Sequence, residues 1–106
     1  MPYVIEFAKF YLKKDVSVPD FLAVSDTFNE GFLSKQAGYI SRKLLTDGEM
    51  WADLVLWDTM EEAKEAIRVS QHDPIARAYV SMLRLNGKGC TFRHFPVEKT
   101  YGDALS

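Results

Sequence analysis

Cysteine, histidine and long runs of a single character are all scarce in this 106-residue chain. Its one cysteine, Cys90, has no partner for an intrachain disulfide and too few companions for a cysteine-based zinc site. A lone free thiol suits a reducing compartment, which makes the cytoplasm the expected location; no neighbouring feature marks Cys90 as a nucleophile. The two histidines, His72 and His94, do not stand at the HxxxH spacing of a helical metal site, so no metal is expected. Nowhere does the chain approach the roughly 18 consecutive apolar residues of a membrane span. Glu6 and Lys9 interrupt the apolar run of residues 1–14, which also lack a small-residue cleavage pattern, so they do not read as a secretory signal. The 13 basic and 15 acidic residues are interspersed, leaving a net charge of −2 and no basic patch for a nucleic acid. Gly87–Lys88–Gly89 is too short for a phosphate loop and precedes a strand pattern rather than a helix. Linkers, repeats and low-complexity segments are also missing, so residues 1–106 read as one domain with a tail from about residue 98.

What is present is 47% hydrophobic and 13% aromatic sequence arranged in short periodic runs. Residues 3–12 are rich in Val, Ile, Phe and Tyr and read as a strand that is apolar on both faces: Val4, Ala8, Phe10 and Leu12 on one, Tyr3, Ile5, Phe7 and Tyr11 on the other. Ser17 and Asp20 around Pro19 signal a helix start. Phe21, Val24, Ser25, Phe28 and Phe32 recur at helical spacing, and Gly38 is placed to close that helix as a left-handed residue. Residues 39–46 and 50–57 form two strands joined at Asp47–Gly48, the strongest hairpin signal in the chain. Thr59 with Glu62 opens a second helix as a capping box, with Met60, Ala63, Ala66 and Ile67 on its buried stripe. At His72–Asp73–Pro74 this helix breaks and restarts, Asp73 serving as N-cap. Ile75, Tyr79, Met82 and Leu83 continue the apolar face to Asn86–Gly87, and residues 90–97 form the last strand.

The order strand–helix–strand–strand–helix–strand is the split βαβ, ferredoxin-like α+β arrangement: a four-stranded antiparallel sheet with its first and third strands central and helices on one face. Two helices cover only one face, yet the strands do not alternate as a half-solvated sheet would. On the third strand Leu54 and Leu56 fill one face while Trp51, Val55 and Trp57 fill the other. Leaving the uncovered set in water forgoes about 1.5–3 kcal/mol for each large side chain. A homodimer built by packing two such sheets face to face removes that loss. A tail carrying Tyr101 and Leu105 back over the sheet would be the alternative.

The stretch Gly38–Tyr39–Ile40–Ser41–Arg42–Lys43–Leu44–Leu45, then Trp51 to Trp57 and Asp58–Thr59–Met60–Glu61–Glu62–Ala63, resembles the dimeric α+β barrel superfamily. That group includes antibiotic-biosynthesis monooxygenases, haem-degrading monooxygenases and stress-responsive barrel proteins. Gly38 and Tyr39 match its glycine–aromatic lead into the second strand, and Trp57 its tryptophan at the end of the third. The resemblance implies a cofactor-independent oxygenase or isomerase acting on an aromatic or polyketide-like molecule, or else a non-catalytic, ligand-binding or stress-related barrel. It does not extend to haem degradation. Those relatives carry an Asn on the first strand, a Trp on the second helix and a His ligand further along. Here the asparagines are Asn29 and Asn86, the tryptophans lie on the third strand, and Tyr79 stands at the place of the histidine.

Four residues are candidates for binding or catalysis. Glu6 sits in the middle of an apolar central strand, where a carboxylate is costly unless paired; it is either a general base of raised pKa or half of an ion pair with Arg42, Arg93 or His94. His94, on the strand expected beside the first, can meet Glu6 as a proton-transfer couple or serve as a hydrogen-bonded structural residue. His72 at the helix break is either a pocket residue or an exposed turn histidine. Tyr79 offers a hydroxyl to the helix–sheet gap, as a ligand-orienting donor or as a core tyrosine with a satisfied hydroxyl. Any small hydrophobic or aromatic ligand belongs in that gap.

Overall fold

β-branched and aromatic residues fill the first strand, β1 (Val4–Leu12), and both neighbouring edges of its backbone are paired. The computed structural model describes residues 2–102 of the chain. Helix α1 (Val18–Gly31) starts where Ser17 accepts the Asp20 N–H at 3.2 Å, with Pro19 in the first turn. Strands β2 (Tyr39–Thr46) and β3 (Trp51–Trp57) follow as a hairpin. In its turn, Asp47 Oδ1 accepts the N–H groups of Glu49 and Met50, both at 2.9 Å. Helix α2 (Met60–Ser70) begins at Thr59, whose hydroxyl accepts the Glu62 N–H and donates to Glu62 Oε1. Asp73 caps the short α3 (Pro74–Val80) by accepting the Ala76 N–H at 2.9 Å.

Two details depart from the pattern read in the sequence. Helix α1 stops at Gly31 and is followed by a 3₁₀ turn, Leu33–Lys35, so Gly38 does not close the helix. Its φ of +85° instead turns the chain into β2. Helix α3 ends at Val80 rather than running on to Asn86, and Leu83–Arg84 form a two-residue strand, β4. The last strand is β5 (Thr91–Pro96). The antiparallel sheet therefore has five strands in the order β2–β3–β1, with β4 and β5 sharing the far edge of β1. β4 pairs with Tyr11 and Leu12, β5 with residues 4–9. The ferredoxin-like order with β1 and β3 central is as expected, the short β4 being an addition to it.

Register sorts the side chains onto two faces. Val4, Glu6, Ala8 and Phe10 of β1 share a face with Trp51, Asp53, Val55 and Trp57 of β3. Val4, Phe10, Val55 and Trp57 pack there with Phe21 and Phe28 of α1, Ala63 and Ala66 of α2, and Ala76 and Tyr79 of α3. The opposite face carries Ile5 and Phe7 beside Leu54 and Leu56, flanked by Leu45 and Phe95. Leu45 and Phe95 are exposed. Tyr101 is 78% exposed, while Leu105 lies outside the described residues. No helix among the described residues is long and apolar enough to cross a membrane.

Candidate functional site

Polar side chains enter the helix-covered face at the centre of the sheet and fall into two groups. The first is centred on Arg42, whose Nη1 also donates to the Ser25 carbonyl of α1 at 3.4 Å. Arg42 of β2 donates through Nε to Asp53 Oδ1 at 2.8 Å and through Nη2 to the Tyr79 hydroxyl at 3.0 Å. Tyr79 in turn donates to Asp53 Oδ2 at 2.7 Å. Burial works against the guanidinium's charge, but Asp53 and Tyr79 more than offset this and its pKa rises. Burial and the adjacent Asp53 push the Tyr79 hydroxyl far upward, so it stays protonated. The single proton of that hydroxyl is committed to Asp53. Its ring is stacked on Phe28, centroids 4.3 Å apart, and on Phe21 at 5.5 Å. Around Tyr79 the helix–sheet gap is thus filled with protein.

The second group lies toward the β5 edge. His94 of β5 stands directly opposite Glu6 of β1, and its Nε2 is 3.0 Å from Glu6 Oε1. A carboxylate only accepts, so with Glu6 ionised the hydrogen resides on His94 Nε2. Burial raises the Glu6 pKa; the hydrogen bond and charge of His94 pull it part of the way back, and Asp53 adds to the rise. Both side chains keep 13% exposure, so the pair is reached from solvent. The Phe92 ring meets the His94 ring edge-on, centroids 5.3 Å apart, and is itself exposed. Trp57 is wholly buried close by; among the described residues its Nε1–H has no hydrogen bond of full geometry, and its weak donation toward Glu6 opposes the rise in the Glu6 pKa.

Of the four candidate residues, the register brings Glu6 and His94 together. Tyr79 shares their layer but is held in the Arg42–Asp53 group. His72 is exposed on the turn between α2 and α3 and makes no side-chain hydrogen bond among the described residues. Of the possible partners for Glu6, Arg42 is taken by Asp53, and Arg93 lies on the other face over the Phe95 ring. Asp53 escaped notice in the sequence, although strand alternation between Trp51 and Val55 puts it on the buried face. A cleft of about 240 Å³ opens at the opposite edge, between α1 and β2, with Arg42 among its lining residues and Asp26, Asn29 and Glu30 contributed by the helix. Among the described residues no group of three or more His, Cys, Asp or Glu is placed to hold a metal ion.

No protein-family profile matches the sequence, and no curated protein matches it. Solved structures do. SnoaB, a cofactor-independent oxygenase from Streptomyces nogalater, superposes with a TM-score of 0.75 at 15% identity, over 97% of this chain and all of SnoaB. A Bordetella bronchiseptica protein assigned to the antibiotic biosynthesis monooxygenases gives 0.71 at 15% identity, over 95% of this chain and all of that one. A conserved protein from Methanosarcina mazei gives 0.68 at 18% identity, over 91% and 93% of the two chains. This chain has the fold of the antibiotic-biosynthesis-monooxygenase-like proteins, as the resemblance of its central stretch implied.

Proposed function

We propose, taking the fold shared with the antibiotic-biosynthesis-monooxygenase-like proteins as premise, that this protein is a cofactor-independent oxygenase of aromatic or polyketide-like molecules, with Glu6 as its general base. The observation that carries the reading is the Glu6–His94 couple: a largely buried carboxylate of raised pKa, reachable from solvent and bonded to a histidine. Raising a carboxylate's pKa toward neutrality makes it a stronger base while leaving it ionised at working pH. In an anthrone, removing one proton from the ring methylene yields an electron-rich anion that itself reduces dioxygen. One oxygen atom becomes the new carbonyl and the other leaves as water, so no cofactor is needed. His94 positions Glu6 by donating to Oε1, leaving Oε2 for the substrate. The fold's likeness to SnoaB, a cofactor-independent oxygenase, supports this assignment.

Oxygen uptake with a panel of hydroquinones and anthrones tests it. Glu6→Gln is expected to lower kcat/KM by ~100-fold or more, in the range typical for loss of a general base. His94→Gln lowers it less and moves the acidic limb of the pH profile to higher pH, because His94 holds the Glu6 pKa down. His72→Ala on its exposed turn leaves the rate unchanged. Uptake that is indifferent to Glu6→Gln would remove Glu6 from the chemistry. The second reading, a non-catalytic ligand-binding or stress-related barrel, is favoured by the open cleft at the β2 edge. Binding of the panel without any oxygen uptake would decide for it.

A further inference from the structure

Helix α1 has a face that neither the core nor the chemistry above uses. Leu22, Ser25, Asp26, Asn29 and Glu30 recur at helical spacing and form one stripe beside the buried stripe of Phe21 and Phe28. Together with Arg42 and Leu44 of β2 they line the cleft of about 240 Å³. The helix carries three acidic residues, Asp20, Asp26 and Glu30, and no basic one. Asp26 and Glu30 stand four apart, where like charges repel. Glu30 also lies in the last turn, where the helix dipole disfavours an anion. Neither carboxylate is ion-paired among the described residues. Ser25 gives an independent sign that a ligand is wanted here. It is only 3% exposed, yet its hydroxyl bonds nothing among the described residues, whereas those of Thr27 and Ser34 return to carbonyls one turn back. A buried hydroxyl without a partner costs stability that a ligand reaching it restores.

The charge balance of the cleft selects the ligand. Arg42, the one cationic residue lining it, directs its donors to Asp53, Tyr79 and the Ser25 carbonyl, and Asp53 balances its charge. Two uncompensated carboxylates remain, so an anion is repelled. A metal ion lacks ligands, because no group of three or more His, Cys, Asp or Glu is placed to hold one among the described residues. Polarity also changes along the cleft. The Phe21 ring meets Trp51, the partner of Thr46, while Asn29 Oδ1 accepts from the Tyr39 hydroxyl at 3.4 Å. Helix α1 therefore starts over the Thr46 end of β2 and finishes over its Tyr39 end, which sets Leu22 toward Leu44 and Glu30 toward the opposite end. We propose that the cleft binds a primary ammonium ion carried on a short aliphatic chain. The three N–H donors go to Asp26, Glu30 and the Ser25 hydroxyl, and the chain lies along Leu22 and Leu44. The cleft is at the β2 edge and the Glu6–His94 pair at the β5 edge, so this site does not depend on the oxygenase reading. It gives the second, ligand-binding reading a ligand class.

The test is a titration of the ¹⁵N-labelled full chain at low salt with three ligands that share one hydrocarbon body: 3-methylbutylamine, 3-methylbutan-1-ol and 3-methylbutanoate. The amine is expected to move the backbone amides of Ser25, Asp26 and Glu30 and the side-chain amide of Asn29, and to saturate at millimolar concentration. The alcohol should bind ~10-fold more weakly, the factor that two exposed ion pairs can supply, and the carboxylate should not bind. Asp26→Asn combined with Glu30→Gln, two isosteric changes at exposed positions, should bring the amine down to the affinity of the alcohol. Equal affinities of amine and alcohol in the wild type, tighter binding of the carboxylate, or no saturation by the amine would each overturn the site. So would amine shifts that spread equally over Glu61 and Glu65 of α2, which would mark a diffuse counter-ion only. Saturable shifts at α1 with no oxygen uptake from any anthrone leave the site standing and remove the oxygenase. Uptake with an unmoved α1 does the opposite.

Discussion

Asp53 accepts two hydrogen bonds, one from Arg42 of the neighbouring strand and one from Tyr79, which ties the sheet to the helix layer. With Arg42 it forms an ion pair whose side chains are only 6% and 10% exposed. Pairs so buried contribute little net stability, because desolvation cancels most of the attraction, but removing one partner strands the other charge. Asp53→Ala is therefore expected to cost about 3–5 kcal/mol. Tyr79→Phe, which leaves the pair intact but removes two hydrogen bonds, one donated to Asp53 and one accepted from Arg42, should cost less, about 1.5–3 kcal/mol. Urea unfolding of both variants checks this order; a Tyr79→Phe loss equal to that of Asp53→Ala would mean that the hydroxyl, not the ion pair, governs the cluster. Part of this layer is legible in the sequence. Glu6 and His94 announce themselves as polar residues on neighbouring strands, and the register then sets them face to face. The Arg42–Asp53–Tyr79 group needs three elements brought to one point, and the side-chain periodicity of each element does not specify how the three meet.

Between elements, the joint that matters most runs from α1 into β2. Gly38 sits there at φ +85°, its carbonyl accepting the Asp58 N–H at 2.8 Å, and a Cβ at this position would overlap the side chain of Glu62. Glu62 is the residue bound to Thr59 at the start of α2, so one methyl group would strain a turn and disturb a helix cap together. The left-handed conformation alone costs a non-glycine residue about 1–2 kcal/mol, and Gly38→Ala is expected to lose at least that. In the Glu62→Ala background the same substitution should cost less, because the overlap is gone while the backbone strain remains. A double-mutant cycle by thermal unfolding measures the difference; strict additivity would mean that Glu62 gives way freely and strain alone acts. The sequence shows that Gly38 ends something, yet the thing ended is the 3₁₀ turn rather than the helix. Strand starts and caps are marked by short-range chemistry and fall within a residue or so of where their patterns put them. β4 is invisible for the opposite reason: two residues cannot display a period of two, and Leu83 also fits the helical stripe running from Tyr79.

At the scale of the whole molecule the sheet remains apolar on the side the helices do not cover. Ile5, Phe7, Leu54 and Leu56 occupy the two central strands there, with Leu45 and Phe95 exposed on the flanking ones. Lys9, Lys43 and Arg93 share that face, so it is a mixed surface with an apolar centre rather than an oily sheet. Among the described residues of the tail nothing replaces the missing layer, since Tyr101 points its bulk into solvent. A second copy of the same face supplies equal apolar centres to each other, and each large side chain it shields is worth about 1.5–3 kcal/mol. Light scattering at micromolar protein is therefore expected to return twice the 12.1 kDa mass of the chain. Leu54→Glu places a carboxylate at the centre of that surface and should yield a folded monomer, recognised by unchanged far-ultraviolet circular dichroism. Val80→Glu, at an exposed apolar residue on α3 away from the sheet, should leave the mass at two chains. A wild-type chain that runs as a monomer, or a Leu54→Glu variant that stays paired, would mean that the uncovered face is not the surface that joins two copies.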